Sequence, residues 1–266
     1  MEMQHLFMIG GAIGFIFVMT CIGAATVFIF RKNSSGNTGP IFLGFAAGVM
    51  IAASVWGLLV PAIAEAEGGV FPSWIPAAGG FVLGVVFLLG LDHLLPHIHP
   101  VENIREGLPS ASKRTTLLVS AVTLHNIPEG MAIGLAFALA AQQSHNPAIY
   151  ASAVALAIGI GIQNLPEGAA IAHVLRGEGF SRKKSFFYAC LTGIVEPLFG
   201  VVAVLIALWI APVMPWLLSF AAGAMIYVVV EELIPEAHAG GGHSHAASLS
   251  VVAGFLVMMV LDVAIG

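Results

Sequence analysis

Two similar hexapeptides set chemistry-bearing residues inside otherwise apolar sequence: HNIPEG from His125 to Gly130 and QNLPEG from Gln163 to Gly168. Residues four apart share a helix face, so His125 projects with Glu129 and Gln163 with Glu167, and each pair is a clamp for a cation. Asn126 and Asn164, one residue further round, add amide oxygens able to complete a coordination shell or accept hydrogen bonds. A third acid, Glu196, stands in the VEP of Val195 to Pro197. Imidazole, carboxylate and amide donors suit zinc, iron, cobalt, manganese or cadmium, and the lack of thiolates argues against a soft copper site. The set is also looser than a structural zinc site of Cys and His, as release of the ion requires.

The elements that position these residues are membrane spans. The chain has 266 residues, 59% hydrophobic and 9% charged, against about a quarter charged in soluble domains. Several acids fall inside apolar runs, so the net charge of −5 is not a solvating surface, and nothing in the sequence points to nucleic acid. A spanning helix needs about 20 apolar residues, and eight stretches qualify: 6–30, 41–63, 75–95, 117–140, 149–175, 186–210, 215–236 and 247–265. The expectation is an all-α polytopic membrane protein, one transmembrane domain over 1–266. The first run, too long and without a basic start, reads as a true span and not a secretory signal.

All nine Lys and Arg lie after spans one, three and five: Arg31, Lys32, Arg105, Lys113, Arg114, Arg176, Arg182, Lys183 and Lys184. Those loops are therefore expected in the cytoplasm, with both termini outside. Span four then rises from the cytoplasm while span five descends to it. At 1.5 Å per residue, His125 and Glu167 lie about 12 Å above the cytoplasmic ends, Glu129 and Gln163 about 18 Å, and Glu196 about 15 Å. A charged side chain at that depth costs at least ~2.5 kcal/mol. Three acids converge with no Lys or Arg in any span to pair with, so another cation is required: a metal, or protons in its place.

Pro128, Pro166 and Pro197 release the carbonyls of Leu124, Ile162 and Gly193, which can line a polar path. Pairs such as Gly44 with Gly48 and Gly80 with Gly84 read as close helix packing, and the glycine-rich spans also suggest a homodimer. Cys21 and Cys190 read as packing residues. A second polar group collects toward the cytoplasm: Asp92, His93, His97, His99, His173, Glu231, Glu232, Glu236, His238, His243 and His245. Its members read as helix ends in water, or together as an exit relay or sensing site for the metal. Asp262 in span eight has no evident partner.

HNIPEG, QNLPEG and VEP together resemble the signature of the ZIP family of divalent metal transporters, a resemblance that covers the whole eight-span chain. It implies a three-two-three arrangement with spans one to three and six to eight as inverted halves, although the halves show no clear sequence repeat. It further implies that His125, Asn126, Glu129, Gln163, Asn164, Glu167 and Glu196 form a transport site, binuclear with a shared carboxylate, carrying metal into the cytoplasm. Metal is substrate there, with no cofactor, and the partners are lipid and the ion. Gln163, where many members have His, suggests the bacterial GufA-like branch and hence a bacterial inner membrane. The family's long His-rich loop between spans three and four is missing.

Two other classes compete. An intramembrane metalloenzyme could activate water with His and Glu, but the sequence has no H-E-x-x-H and no Ser or Cys nucleophile beside a base at depth. A proton-coupled carrier of an organic solute would use the acids as a relay.

Overall fold

In lipid every backbone polar group must be satisfied within the protein, which leaves long helices as the solution for this sequence. The computed structural model describes residues 3–29, 38–94, 97–98, 105–106, 114–209, 211–238 and 245–265. Span one is α1, Met3–Ile29. Span two joins α2 (Thr38–Ala52) to α3 (Val60–Glu65) through a π-helical segment, Ala53–Leu59. Span three is α4, Trp74–Leu94, span four α5, Arg114–Gln142, and span five α6, Pro147–Gly177. Span six is divided into α7 (Arg182–Gly193) and α8 (Val195–Trp209). Span seven runs through α9 (Met214–Val228), a π-helical segment (Val229–Leu233) and α10 (Ile234–His238), and span eight is α11, His245–Ile265.

Among the described residues, seven of these spans are long and apolar enough to cross a membrane, α5 not being among the seven. Val82, Val86, Leu205, Val252 and Val263 expose more than half of their surfaces, as lipid-facing side chains do. The chain is a multi-pass, all-helical membrane protein. The only strands among the described residues are a small antiparallel pairing of β1 (His97–Ile98) with β2 (Arg105–Glu106), between α4 and α5.

Local sequence sets several helix ends. Asn146 caps α6, its side chain accepting from Ala148 N at 3.2 Å, with Pro147 at the first helical position, where its missing N–H costs nothing. Ser181 caps α7 by accepting from Lys184 N at 3.3 Å. The prolines act unequally. Pro128 and Pro166 sit inside the unbroken α5 and α6, of 29 and 31 residues, whereas the helix of span six breaks at Ile194, three residues before Pro197. That break puts Glu196 in the first turn of α8.

The most extensive helix pairings are α1 with α6, α5 with α8, α2 with α11 and α4 with α9. Exchanging spans one and six, two and seven, three and eight, and four and five returns the same set of pairings. The sequence does carry this symmetry, contrary to the expectation that the halves show no repeat. Spans two and seven share FAAG-x-MI, beginning at Phe45 and at Phe220, and each continues through its π-helical segment to Leu-Val-Pro or Leu-Ile-Pro, ending at Pro61 or Pro235. The π-helical segments that follow the shared run have seven and five residues.

Glycine makes the crossings possible. A Cβ on Gly48 would fall 1.9 Å from Val251 O, and one on Gly84 would fall 2.0 Å from Phe220 O. Gly44 likewise abuts α11 and Gly80 abuts α9, so these glycines are taken up within the protomer and give no argument for a homodimer.

Candidate functional site

The antiparallel α5 and α6 bring the two hexapeptides together, and Gln163 Nε2 donates a hydrogen bond to Glu129 Oε1. Glu196 joins them from α8: Asn164 Nδ2 donates to its Oε2 at 2.9 Å, and Thr20 Oγ1 of α1 donates to its Oε1 at 3.2 Å. Glu167 interacts electrostatically with both Glu129 and Glu196, so the three acids share one region. Asn126, Glu129, Gln163, Asn164 and Glu196 are each no more than 1% exposed, so no water shell satisfies them. The backbone of His125 lies in α5, and its side chain lies outside the described residues.

The amides are anchored by their nitrogens. Asn126 Nδ2 donates to Thr192 O at 3.1 Å, Asn164 Nδ2 also reaches Ile16 O at 3.3 Å, and Gln163 Nε2 is held by Glu129. Each oxygen is thereby turned the other way. Asn126 Oδ1, Gln163 Oε1, Asn164 Oδ1 and Glu129 Oε2 are buried and accept no hydrogen bond among the described residues. Four buried acceptors without donors would each cost on the order of 1–3 kcal/mol, and a hard or borderline cation is what satisfies several at once.

The glycine that closes each hexapeptide explains the compactness of the site. A Cβ on Gly130 would fall 2.2 Å from Glu196 O, and one on Gly168 would fall 2.1 Å from Thr20 O. α5 therefore lies directly on the start of α8, and α6 directly on α1. Span one, which the sequence reading left out of the site, supplies the Thr20 hydroxyl and the Ile16 carbonyl. A threonine in the middle of an apolar helix was the signal available for it.

The second polar group is distributed over α4, α6, span seven and α11. Asp92 and Glu232 are buried, Glu236 is half-buried, and Glu231 and His245 are exposed. His93 Nδ1 donates to Leu89 O at 2.8 Å, and His238 Nδ1 donates to Ile234 O at 2.8 Å while its Nε2 meets Ser248 Oγ at 3.1 Å. His173 Nε2 pairs with Thr26 Oγ1 of α1 at 3.3 Å. The His97 side chain, His99 and His243 lie outside the described residues. Among the described residues no three His, Cys, Asp or Glu side chains group closely enough to hold a metal ion, in this region or among the site's acids alone.

Three further residues, Asp262, Cys21 and Cys190, have neighbours that the sequence did not reveal. Asp262 accepts from Ser152 Oγ of α6 at 3.1 Å, and the thiols of Cys21 and Cys190 lie beside each other across α1 and α7. Both pairings join spans far apart in sequence, which periodicity within one span cannot register.

Known proteins resemble the chain over its length. The ZIP Zinc transporter family model matches residues 102–262. The chain is 40% identical to Zinc transporter ZIPB of Bordetella bronchiseptica, over 97% of this chain and 81% of that protein. It is 37% identical to Zinc transporter GufA of Myxococcus xanthus, over 93% and 94%, and 36% identical to Zinc transporter ZIP11 of Homo sapiens, over 95% of each. All three are named as transporters, which points away from an enzyme. The two hexapeptides, the helices that cross on their glycines and these full-length likenesses agree: the chain belongs to the ZIP zinc transporter family.

Proposed function

We propose that the protein carries divalent transition-metal ions, zinc foremost, across the membrane into the cytoplasm, holding the ion at His125, Asn126, Glu129, Gln163, Asn164, Glu167 and Glu196. The observation that carries this reading is the set of four buried oxygens on Asn126, Glu129, Gln163 and Asn164 that accept no hydrogen bond among the described residues while the amide nitrogens are tied back. Zinc is favoured because the three relatives named above are zinc transporters and because imidazole with oxygen donors suits it.

In this reading α5, span four, also crosses the membrane and completes the count of eight, its 29 residues being ample for the bilayer. The basic residues then put both termini outside. Access alternates between the two faces about the site, and the exchangeable halves supply two related packings. The carboxylates must be free of protons to ligate, so metal and protons compete.

The test is uptake into proteoliposomes across a panel of zinc, cadmium, iron, manganese and cobalt at two pH values. Saturable zinc uptake, competed by the other ions, is expected. Turnover of a peptide or lipid without metal flux, or uptake of an organic solute that metals do not compete, would overturn the proposal.

A further inference from the structure

We infer that Thr20 of span one is a positioning residue for Glu196, orienting its carboxylate toward the ion; the inference rests on the proposed site, in which Glu196 is a ligand. Thr20 is 1% exposed and is held from two sides. Its carbonyl abuts Gly168 of the second hexapeptide, and its methyl lies 3.0 Å from where a Cβ on Gly193, at the break of span six, would stand. Backbone and side chain are therefore fixed by α6 and α7, and the hydroxyl that remains faces α8.

That hydroxyl has one proton and two acceptors in reach, Ile16 O at 3.3 Å and Glu196 Oε1 at 3.2 Å. The need is one-sided. A threonine in a spanning helix satisfies itself on the carbonyl four residues back, so Thr20 does not require Glu196. Glu196, in an apolar surrounding, does require donors, and its second oxygen takes one from Asn164. Thr20 and Asn164 thus grip one oxygen each and fix the plane of the carboxylate. Each oxygen retains a second lone pair for an ion. When Glu196 shifts, Thr20 keeps its proton bonded at Ile16 O, so no buried donor is stranded.

Hydrogen bonds that orient a metal ligand are worth about 10- to 100-fold in affinity or activity when removed. Zinc binding to purified protein, read by competition with a chromogenic chelator, and zinc uptake into proteoliposomes test the assignment. Thr20→Val, which keeps the shape and removes the hydroxyl, is expected to weaken zinc binding about tenfold, and Thr20→Ser to stay within about twofold of the parent. In a Glu196→Gln background Thr20→Val should change binding no further, because the group it orients has lost its charge; a role in packing alone would add its own effect there. If Thr20→Val does not insert, Thr20→Ala against Thr20→Ser makes the same comparison. Parent-like binding in Thr20→Val, with Glu196→Gln weakened, would overturn the Thr20 assignment and leave the site standing. Parent-like binding and uptake in Glu196→Gln would overturn the site, and the positioning role with it.

Discussion

The two oxygens of Glu129 have different surroundings: Oε1 accepts from Gln163, while Oε2 is buried without a hydrogen-bond partner. The same division runs through the amides, whose nitrogens are engaged and whose oxygens are not. Side chains arranged in this way are preorganised to ligate through oxygen, and substitutions should separate charge from geometry. Replacing Glu167 by Ala removes the acid that interacts with both Glu129 and Glu196. Glu167→Ala is expected to lower zinc uptake by a factor on the order of 100 at normal expression, measured in vesicles; unchanged uptake would sink the site. Gln163 is where metal choice is exposed to test. Gln163→His replaces an oxygen donor by an imidazole, which favours zinc over manganese, and the ratio of zinc to manganese uptake should rise by something on the order of tenfold.

The helices carry the site through their crossings. α5 rests on α8 at Gly130, and α6 rests on α1 at Gly168, each so close that any side chain would enter a neighbouring backbone. A methyl on Gly168 would have to push α1 away and take Thr20 with it. Gly168→Ala is therefore expected to destabilise the protein by about 1–3 kcal/mol, read as a lower melting temperature in detergent, together with weaker zinc uptake. Gly14, in the same α1, has nothing within 4 Å of its would-be Cβ. Gly14→Ala should leave melting and uptake unchanged, and equal losses in the two variants would refute the crossing argument. Span six illustrates a different point about elements. Three prolines were expected to behave alike, yet α5 and α6 run through theirs while the helix of span six ends at Gly193. In a membrane, neighbouring helices decide whether a proline is absorbed or becomes a break.

The molecule as a whole is built from exchangeable halves, and its orientation and proton balance are tested at that scale. Epitopes at both ends should be labelled on intact cells without permeabilisation, as an even number of spans with basic loops inside requires; labelling of one end alone would contradict eight spans. Zinc binding should release protons, detected with a pH indicator in weakly buffered solution, and subsaturating uptake should fall as external pH falls, because protons and metal compete for the same carboxylates. A zinc signal with no proton release would place the ion elsewhere.

Much of this was legible in the residues themselves. Lipid demands helices of sufficient apolar length, so composition and run length led to the membrane fold, and the four-residue spacing in HNIPEG and QNLPEG pointed to two ligand pairs at one depth. What the sequence settled was local: which runs are helical and which side chains share a face of one helix. The engagement of Thr20 with Glu196, the anchoring of Asn126 on Thr192, the pairing of Asp262 with Ser152 and the meeting of Cys21 with Cys190 were decided by tertiary structure. Each joins spans whose relative rotation is set by where glycines let backbones touch, and one chain's periodicity holds no record of its neighbour's rotation. The repeat between spans two and seven lay in the sequence throughout, and the helix pairings, which only the tertiary structure decides, give it meaning as a symmetry of halves.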